Sequence, residues 1–586
     1  MRRGGTPKDE NPGWNQYFRS SLGGYWVVLA GRAAGQLETK VRFLVESQAQ
    51  KEGEGQLGRL ARTIMFQGTA SNVGKSILST ALCRILKQDG YRVAPFKAQN
   101  MALNSYVTRD GGEIGRSQGI QAEAAGCPAA VEMNPILLKP KQDAVAQVIV
   151  KGRPLADMSA GEYRADYLPR ALETVRECLD KLRREFDVVV LEGAGSPAEI
   201  NLKDRDIVNM KAAELAEAPV ILVADIDRGG AFASLVGTLE LLDPDEKEMV
   251  AGFIFNRFRG EVALLEPGLR FLEEKTGKPV LGVVPYLYDL GIDAEDSVSL
   301  TEDSEESQVH VAAGREESTC PGREIDIAVI QLPRISNFTD FDPLRVVPGV
   351  GVRFVKNLRQ LGNPDAVILP GTKNTTGDLI FLQESGLADR ILDLAGQGKM
   401  VVGICGGFQM LGTRLVDPHE TQSGVREMEG LGLLDIETTF SPEKVTHQVQ
   451  AKVASRRAWW RNLTGVYVRG YEIHMGNSVL GCGVEPAFQV QARSGKQVHV
   501  DDGAVSADGR VFGTYLHGLF DNAVFLREWL KVLSGRRGHR FSLSTPGAWL
   551  DYQERREAAY DRLADHVRQH VNLHSLYRIM GLVEKR

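Results

Sequence analysis

At 586 residues the chain exceeds what a single hydrophobic core supports, so two or more domains are expected. A hydrophobic content of 43% with 25% charged residues fits a folded globular chain and excludes a disordered one. The formal net charge of -6 offers no basic surface, so nucleic acid is not expected as a partner.

No apolar run approaches the roughly 20 residues of a membrane helix. The nearest, YWVVLA at residues 25–30, is also shorter than the roughly 7–15 residue core of a signal peptide. A soluble cytoplasmic protein with no membrane partner is expected. Cys83, Cys127, Cys178, Cys320, Cys405 and Cys482 are scattered without a C-x-x-C pair, which is neither a disulfide framework nor a zinc site.

Residues 1–62 are rich in Gly, Gln, Arg and Glu and lack periodicity. They read as a poorly ordered extension, with Met65 as an alternative start. From Thr63 the pattern becomes alternating strands and helices. A strand over 62–66 runs into a Gly-rich loop, and Ile77, Leu78, Ala81, Leu82, Ile85 and Leu86 then recur at helical spacing up to Gly90. A helix over 162–186 precedes short apolar runs at 187–191, 220–224, 251–255 and 280–284, the signature of a parallel sheet buried on both faces. Residues 301–323 are acidic and Ser-rich and read as a linker. A second α/β series follows, with strands over 325–332, 366–369 and 400–404. The expected division is therefore 63–300, 324–545 and a charged helical segment over 546–586, packed on the outside. The fold class is α/β, two domains each built on a mainly parallel sheet flanked by helices.

The loop GTASNVGKS at 68–76 has five residues between Gly68 and Gly74, one more than the usual phosphate loop. Its physics is unchanged. A strand, a Gly-rich turn and a helix N-terminus gather backbone N–H groups and a helix dipole around an anion. Thr69, Asn72, Val73, Gly74, Lys75 and Ser76 are the expected ATP contacts. Lys75 would reach the β/γ-phosphates and the Ser76 hydroxyl would meet Mg²⁺. Glu192, in EGAG at 192–195, ends a strand at the sheet edge where ligands bind, and Asp225 or Asp227 does the same after 220–224. Glu192 and Asp225 are therefore candidate metal ligands with Ser76. Lys97 closes a strand over 92–96 and is a candidate for phosphate or a substrate carboxylate.

The segment GICGG at 403–407 lies between a strand and a helix opening at Phe408. Such a strained turn lifts a nucleophile off the sheet and supplies the next backbone N–H, here Gly406, as an oxyanion donor. The helix N-terminus favours the thiolate of Cys405. Gly371, in the Pro370-Gly371-Thr372 turn, is the expected second donor. His517, ending the run 511–516, is the expected base, and His474 is the alternative.

The cysteine elbow, the Pro-Gly-Thr turn and the late His resemble the class I glutamine amidotransferase family. That family usually places Glu two residues after the His, where this chain has Leu519. The departure resembles the cobyric/cobyrinic acid synthase branch, which implies a Cys–His dyad. The five-residue loop spacing and EGAG resemble the dethiobiotin synthetase type of ATP-binding domain. Longer strings, AQNMALNS at 98–105, MNPILLKP at 133–140, DIDRGG at 225–230, SNFTDFD at 336–342 and GYEIHMG at 470–476, resemble the cobyric acid synthase family. The resemblance implies that glutamine supplies ammonia and that ATP with Mg²⁺ drives amidation. The implied acceptor is adenosylcobyrinic acid a,c-diamide, amidated at its b, d, e and g carboxylates in cobalamin assembly. Asn100, Asn104, Asp227 and Arg228 fall in these strings and are the implied substrate contacts; a homodimer is a candidate assembly. Cobyrinic acid a,c-diamide synthase shares both domain types and is the enzyme alternative. A partitioning-type ATPase switch is the non-enzymatic one, although it has no use for Cys405 and normally carries an extra Lys near the first Gly.

Overall fold

The computed structural model describes residues 60–142, 145–288, 291–292, 324–422, 424–535 and 552–583, all within one compact unit. The expected linker and all but the last three residues of the expected extension lie outside them. Two parallel sheets organise the unit. The first runs, edge to edge, Val280–Pro285, Val250–Phe258, Val220–Asp225, Arg62–Gly68, Val188–Glu192 and Val93–Phe96. Every adjacent pair is parallel, with Arg62–Gly68 near the centre. Its central strands are buried along nearly their whole length because helices cover both faces, as their unbroken Val, Ile and Leu runs require.

The second sheet runs Val350–Val355, Ile325–Ile330, Ala366–Leu369, Met400–Ile404, Val511–Thr514 and Ala504–Val505. Its five longer strands are parallel and the short last one is antiparallel. The protein is thus two α/β lobes, each on a mainly parallel sheet. Each also carries a further sheet that hydrophobic periodicity did not announce. Strands Ile136–Gln142, Val145–Val150 and Arg153–Ser159 form an antiparallel meander in the first lobe. In the second, the long strands Ile436–Val453 and Tyr467–Leu480 pair antiparallel.

The C-terminal segment corrects one expectation. It is helical, over Tyr552–His570 and Leu573–Met580, but it is not an outer appendage. Leu563, Ala564, Val567, Val571, Leu576, Tyr577 and Met580 are buried in the same cluster as Leu78, Leu82 and Ile85 of helix Lys75–Gln88. Its charges are spent on the same partner: Arg84 bonds Asp561 at 2.7 Å and Glu557 at 2.8 Å, and Arg568 bonds Asp89 at 2.6 Å. The chain therefore returns from the second lobe to complete the core of the first. Among the described residues no helix is long and apolar enough to cross a membrane.

Candidate active sites at two sheet edges

The phosphate loop leaves the central strand of the first sheet and turns through left-handed backbone at Asn72 (φ 59°) and Gly74 (φ 100°). A side chain at Gly74 is ruled out twice, since its Cβ would also lie 1.9 Å from Asn256 Nδ2. That amide donates to the Val73 carbonyl at 2.9 Å and fixes the loop from strand Val250–Phe258, the next but one in the sheet, while the Thr69 N–H is tied to the Val223 carbonyl at 3.0 Å on the adjacent strand. Lys75 opens helix Lys75–Gln88, and its ammonium donates to the Ala70 and Gly195 carbonyls at 3.0 and 3.1 Å. It therefore closes across the loop that would receive a phosphate.

Glu192 ends its strand with 1% of its surface exposed and gathers three donors. Ser76 Oγ reaches Oε1 at 2.9 Å, Lys97 Nζ reaches the same oxygen at 2.8 Å, and Gln121 Nε2 reaches Oε2 at 2.6 Å. The fold thus brings Ser76, Lys97 and Glu192 together. Gln121 was not among the sequence candidates; a Gln on an otherwise unremarkable helix gives no local signal. Asp225 sits in a second ion-pair group, bonded to Arg257 at 2.9 Å, with Arg228 at 3.7 Å. Asp227 pairs with Arg259 at 3.1 Å. Helix Arg116–Ala125, which carries Gln121, also holds Gln118 against the Asn100 amide at 3.1 Å, and its first N–H donates to the Asn104 carbonyl at 3.3 Å.

At the second sheet Cys405 lies between strand Met400–Ile404 and helix Gly406–Met410 with φ 51° and ψ -107°. A positive φ at a non-glycine residue is strain stored at the tip of the turn. The approach is close enough that a Cβ at Gly407 would meet the Leu369 carbonyl oxygen at 2.0 Å. The thiol donates to the Ile473 carbonyl at 3.3 Å. The Gly371–Thr372 turn presses on Gly406, whose added Cβ would lie 3.2 Å from the Thr372 N, and an added Cβ at Gly371 would lie 3.0 Å from His517 Cε1. Cys405, Gly406, Gly371 and His517 are therefore neighbours.

His517 is buried and doubly fixed. Its backbone bridges Tyr471 through bonds of 2.8 and 3.1 Å, and its ring stacks on that of Tyr471 at 5.1 Å and 12°. Nδ1 lies 2.6 Å from Asp340 Oδ2, while Asp340 Oδ1 accepts from the Gly518 N–H at 3.1 Å. That leaves Nε2 for Cys405. Burial opposes a charge on the imidazole, but the Asp340 carboxylate and the Cys405 thiol outweigh it and push its pKa up to about 10. The expected Cys–His pair thus has a third member, Asp340, in place of the missing Glu at 519. His474 is committed elsewhere: Nδ1 bonds the Gly476 carbonyl at 2.7 Å and the ring stacks on Tyr515 at 3.9 Å. The signal for Asp340 was a buried carboxylate between Phe338 and Phe341, within a string already singled out for its resemblance.

Lobe one reaches this site directly. The Ser105 N–H donates to Asn337 Oδ1 at 2.9 Å, and Val107 packs against Tyr471 and Ile473.

Residues 64–299 match the model of a CobQ/CobB/MinD/ParA nucleotide binding domain, and residues 326–525 that of a CobB/CobQ-like glutamine amidotransferase domain. The chain is 58% identical to the cobyric acid synthase of Desulforamulus reducens over 90% of its own length and 99% of that protein's. It is 52% identical to those of Pelotomaculum thermopropionicum and Moorella thermoacetica, over 89% of this chain and 97% and 98% of theirs. With identity this high along nearly the whole of each relative, and with both family models seated on the two sheet edges, the chain belongs to the cobyric acid synthase family.

Proposed function

We propose that the chain uses ATP and glutamine-derived ammonia to amidate the b, d, e and g carboxylates of adenosylcobyrinic acid a,c-diamide, giving adenosylcobyric acid in the cytoplasm. The observation that carries this reading is the convergence of Cys405, His517, Gly371 and Gly406 in a chain that also holds Lys75, Ser76 and Glu192 together. Residues 63–300 serve as the ATP-binding lobe and 324–545 as the glutaminase lobe.

In the glutaminase lobe Asp340 keeps His517 charged, and a charged imidazolium supports the thiolate form of Cys405. The thiolate attacks the side-chain amide carbon of glutamine. The N–H groups of Gly406 and Gly371 hold the oxyanion, and His517 gives its Nε2 proton to the departing nitrogen. Ammonia leaves, and water cleaves the thioester to glutamate.

In the other lobe the loop N–H groups from Thr69 to Gly74 and the Lys75 ammonium hold the ATP phosphates. A carboxylate of the corrinoid attacks the γ-phosphorus and ADP leaves; ammonia then attacks the acyl carbon of the resulting acyl phosphate, inorganic phosphate leaves, and loss of a proton gives the amide. Lys97, bonded to Glu192, contacts phosphate in this reading, and Asn100, Asn104, Asp227 and Arg228 contact the corrinoid. Ser76 Oγ and Glu192 Oε1, 2.9 Å apart, fit Mg²⁺, which takes one or two carboxylates and completes its shell with phosphate oxygens and water. Asp225, whose carboxylate holds Arg257 at 2.9 Å, would be the further oxygen ligand. When bound, the ion neutralises phosphate charge.

The test is mass spectrometry of corrinoid products after incubation with glutamine and ATP. Conversion of the a,c-diamide to species with further acid-to-amide changes is expected. Turnover of cobyrinic acid but not of its a,c-diamide would reverse the assignment in favour of cobyrinic acid a,c-diamide synthase.

A further inference from the structure

Two strings singled out in the sequence meet between the lobes, at a contact that neither half-reaction uses. Ser105 closes AQNMALNS at 98–105, and Asn337 lies in SNFTDFD at 336–342. The Ser105 N–H donates to Asn337 Oδ1 at 2.9 Å across 232 positions, with Ser105 wholly buried and Asn337 3% exposed.

Asn337 occupies a strained point. Its backbone is left-handed, with φ 53° and ψ 37°, a conformation that Asn tolerates better than most side chains. Its side chain does not cap the turn Phe338–Phe341 that it opens, and reaches lobe one instead. Its carbonyl accepts the Asp340 N–H at 3.0 Å, which closes the turn that aims Asp340 at His517. One residue earlier, the Ser336 N–H donates to the Gly371 carbonyl at 2.8 Å, and Ile335 bridges Thr372. Asn337 therefore lies between the oxyanion turn and the carboxylate behind the histidine, the two parts that must be set against Cys405.

Lobe one holds its side of the contact firmly. Ser105 Oγ donates to Glu113 Oε1 at 2.7 Å and accepts from Lys139 Nζ at 2.7 Å, and Lys139 bonds the same carboxylate oxygen at 2.9 Å. Lys444 of the second lobe takes the other Glu113 oxygen, and Gln448 Nε2 donates to the Val107 carbonyl at 2.5 Å. Burial opposes the Glu113 charge, but Lys139 and Lys444 prevail and hold its pKa below the usual carboxylate range. Ser105 is thus tied to an ionised carboxylate on one side and to Asn337 on the other.

We infer that the Ser105–Asn337 hydrogen bond is a positioning device: through it lobe one holds residues 335–340, and so Asp340 and the Gly371 turn, where His517 and Cys405 need them. Asn337 is the positioning residue, and a residue of the ATP-binding lobe completes the glutaminase site. This rests on the proposed function, with glutamine hydrolysis at Cys405 as the reaction served. Losing the bond leaves the buried Ser105 N–H without that acceptor and lets a left-handed residue relax, so that the Asp340 carboxylate shifts from Nδ1.

The test is glutamate release by the full-length enzyme as a function of pH. Asn337→Gly keeps the left-handed backbone and removes the acceptor. Its kcat/KM for glutamine should fall roughly 10–10²-fold, mostly in kcat, as a misplacement of about 1 Å does. With Asp340 displaced the His517 pKa drops, so the alkaline limb of kcat/KM should move down by about 1–3 pH units. A general loss of stability would lower activity without moving that limb. Asn337→Asp, which keeps an accepting oxygen and tolerates the same backbone, should recover most of the loss. Ser105→Ala, which cuts the tie to Glu113 from within lobe one, should give a smaller fall in the same direction and serves if Asn337→Gly does not fold. An unchanged kcat/KM with an unshifted limb in soluble Asn337→Gly, or in Ser105→Ala where it takes that place, would overturn the inference, as would an equal loss in Asn337→Asp. Failure of the unsubstituted enzyme to release glutamate would instead count against the proposed function.

Discussion

Asp340 and His517 stand 177 positions apart and meet at 2.6 Å, and this contact sets the charge on the imidazole. Asp340→Asn should keep the fold and lower glutamine hydrolysis by roughly 10²–10⁴-fold, as loss of the orienting carboxylate does in other triads. Ammonia-supported amidation should hardly change, and steady-state assays with each nitrogen source measure both. The same pair carries a pH signature. The folded pKa of His517, about 10, lies above the unfolded value near 6.5. Its stabilisation is therefore full below about pH 6.5 and is lost as pH rises toward 10. Denaturant titrations across that window should show a decline that Asp340→Asn flattens. For Cys405→Ala, glutamine-dependent amidation should vanish while high ammonia still supports it; loss of both would assign the residue a structural role.

Elements rather than single residues hold the nucleophile in its strained geometry. Strand Met400–Ile404 and the helix opening at Gly406 approach so closely that Gly407 touches the backbone of the neighbouring strand. Gly407→Ala forces a methyl to within 2.0 Å of the Leu369 carbonyl oxygen, which a backbone shift must relieve. Overpacking of this kind costs about 1–3 kcal/mol, and more where backbone blocks the way. A lower thermal midpoint together with slower labelling of Cys405 by a thiol reagent would report the shift. This elbow was legible in the sequence, because a strand, small residues and a helix follow one another along the chain. The phosphate loop was legible for the same reason. The antiparallel strand Tyr467–Leu480 was not, although it supplies the Ile473 carbonyl and the Tyr471 ring to the site. Its residues were noticed only as a string containing His474, and their contacts depend on which face of the hairpin meets Cys405.

At the scale of the whole molecule, the first lobe depends on residues that follow the second. The buried side chains of 552–583 include Leu563, Val567, Val571, Leu576, Tyr577 and Met580. At about 1.5–3 kcal/mol each, their burial is as large as the roughly 5–15 kcal/mol by which domains are stable. Ending the chain before Tyr552 should abolish nucleotide binding and remove the first lobe's transition from a calorimetric trace. Retention of that transition would show that the helices only decorate the surface.

By itself the sequence determined the chemistry that is local along the chain: the loop at 68–76, the elbow at 403–407, and the short apolar runs that become two buried parallel sheets. Each is written in consecutive residues, because backbone geometry and side-chain periodicity act over a few positions. Only the tertiary structure decided that Asp340 completes the His517 site, that Gln121 and Lys97 share Glu192 with Ser76, that the last helices belong to the first core, and that Lys139 and Lys444 meet on Glu113. These are contacts between residues far apart in sequence. Hydrogen bonds and charge interactions act through space, and no pattern along the chain records which distant partner will satisfy a buried polar group.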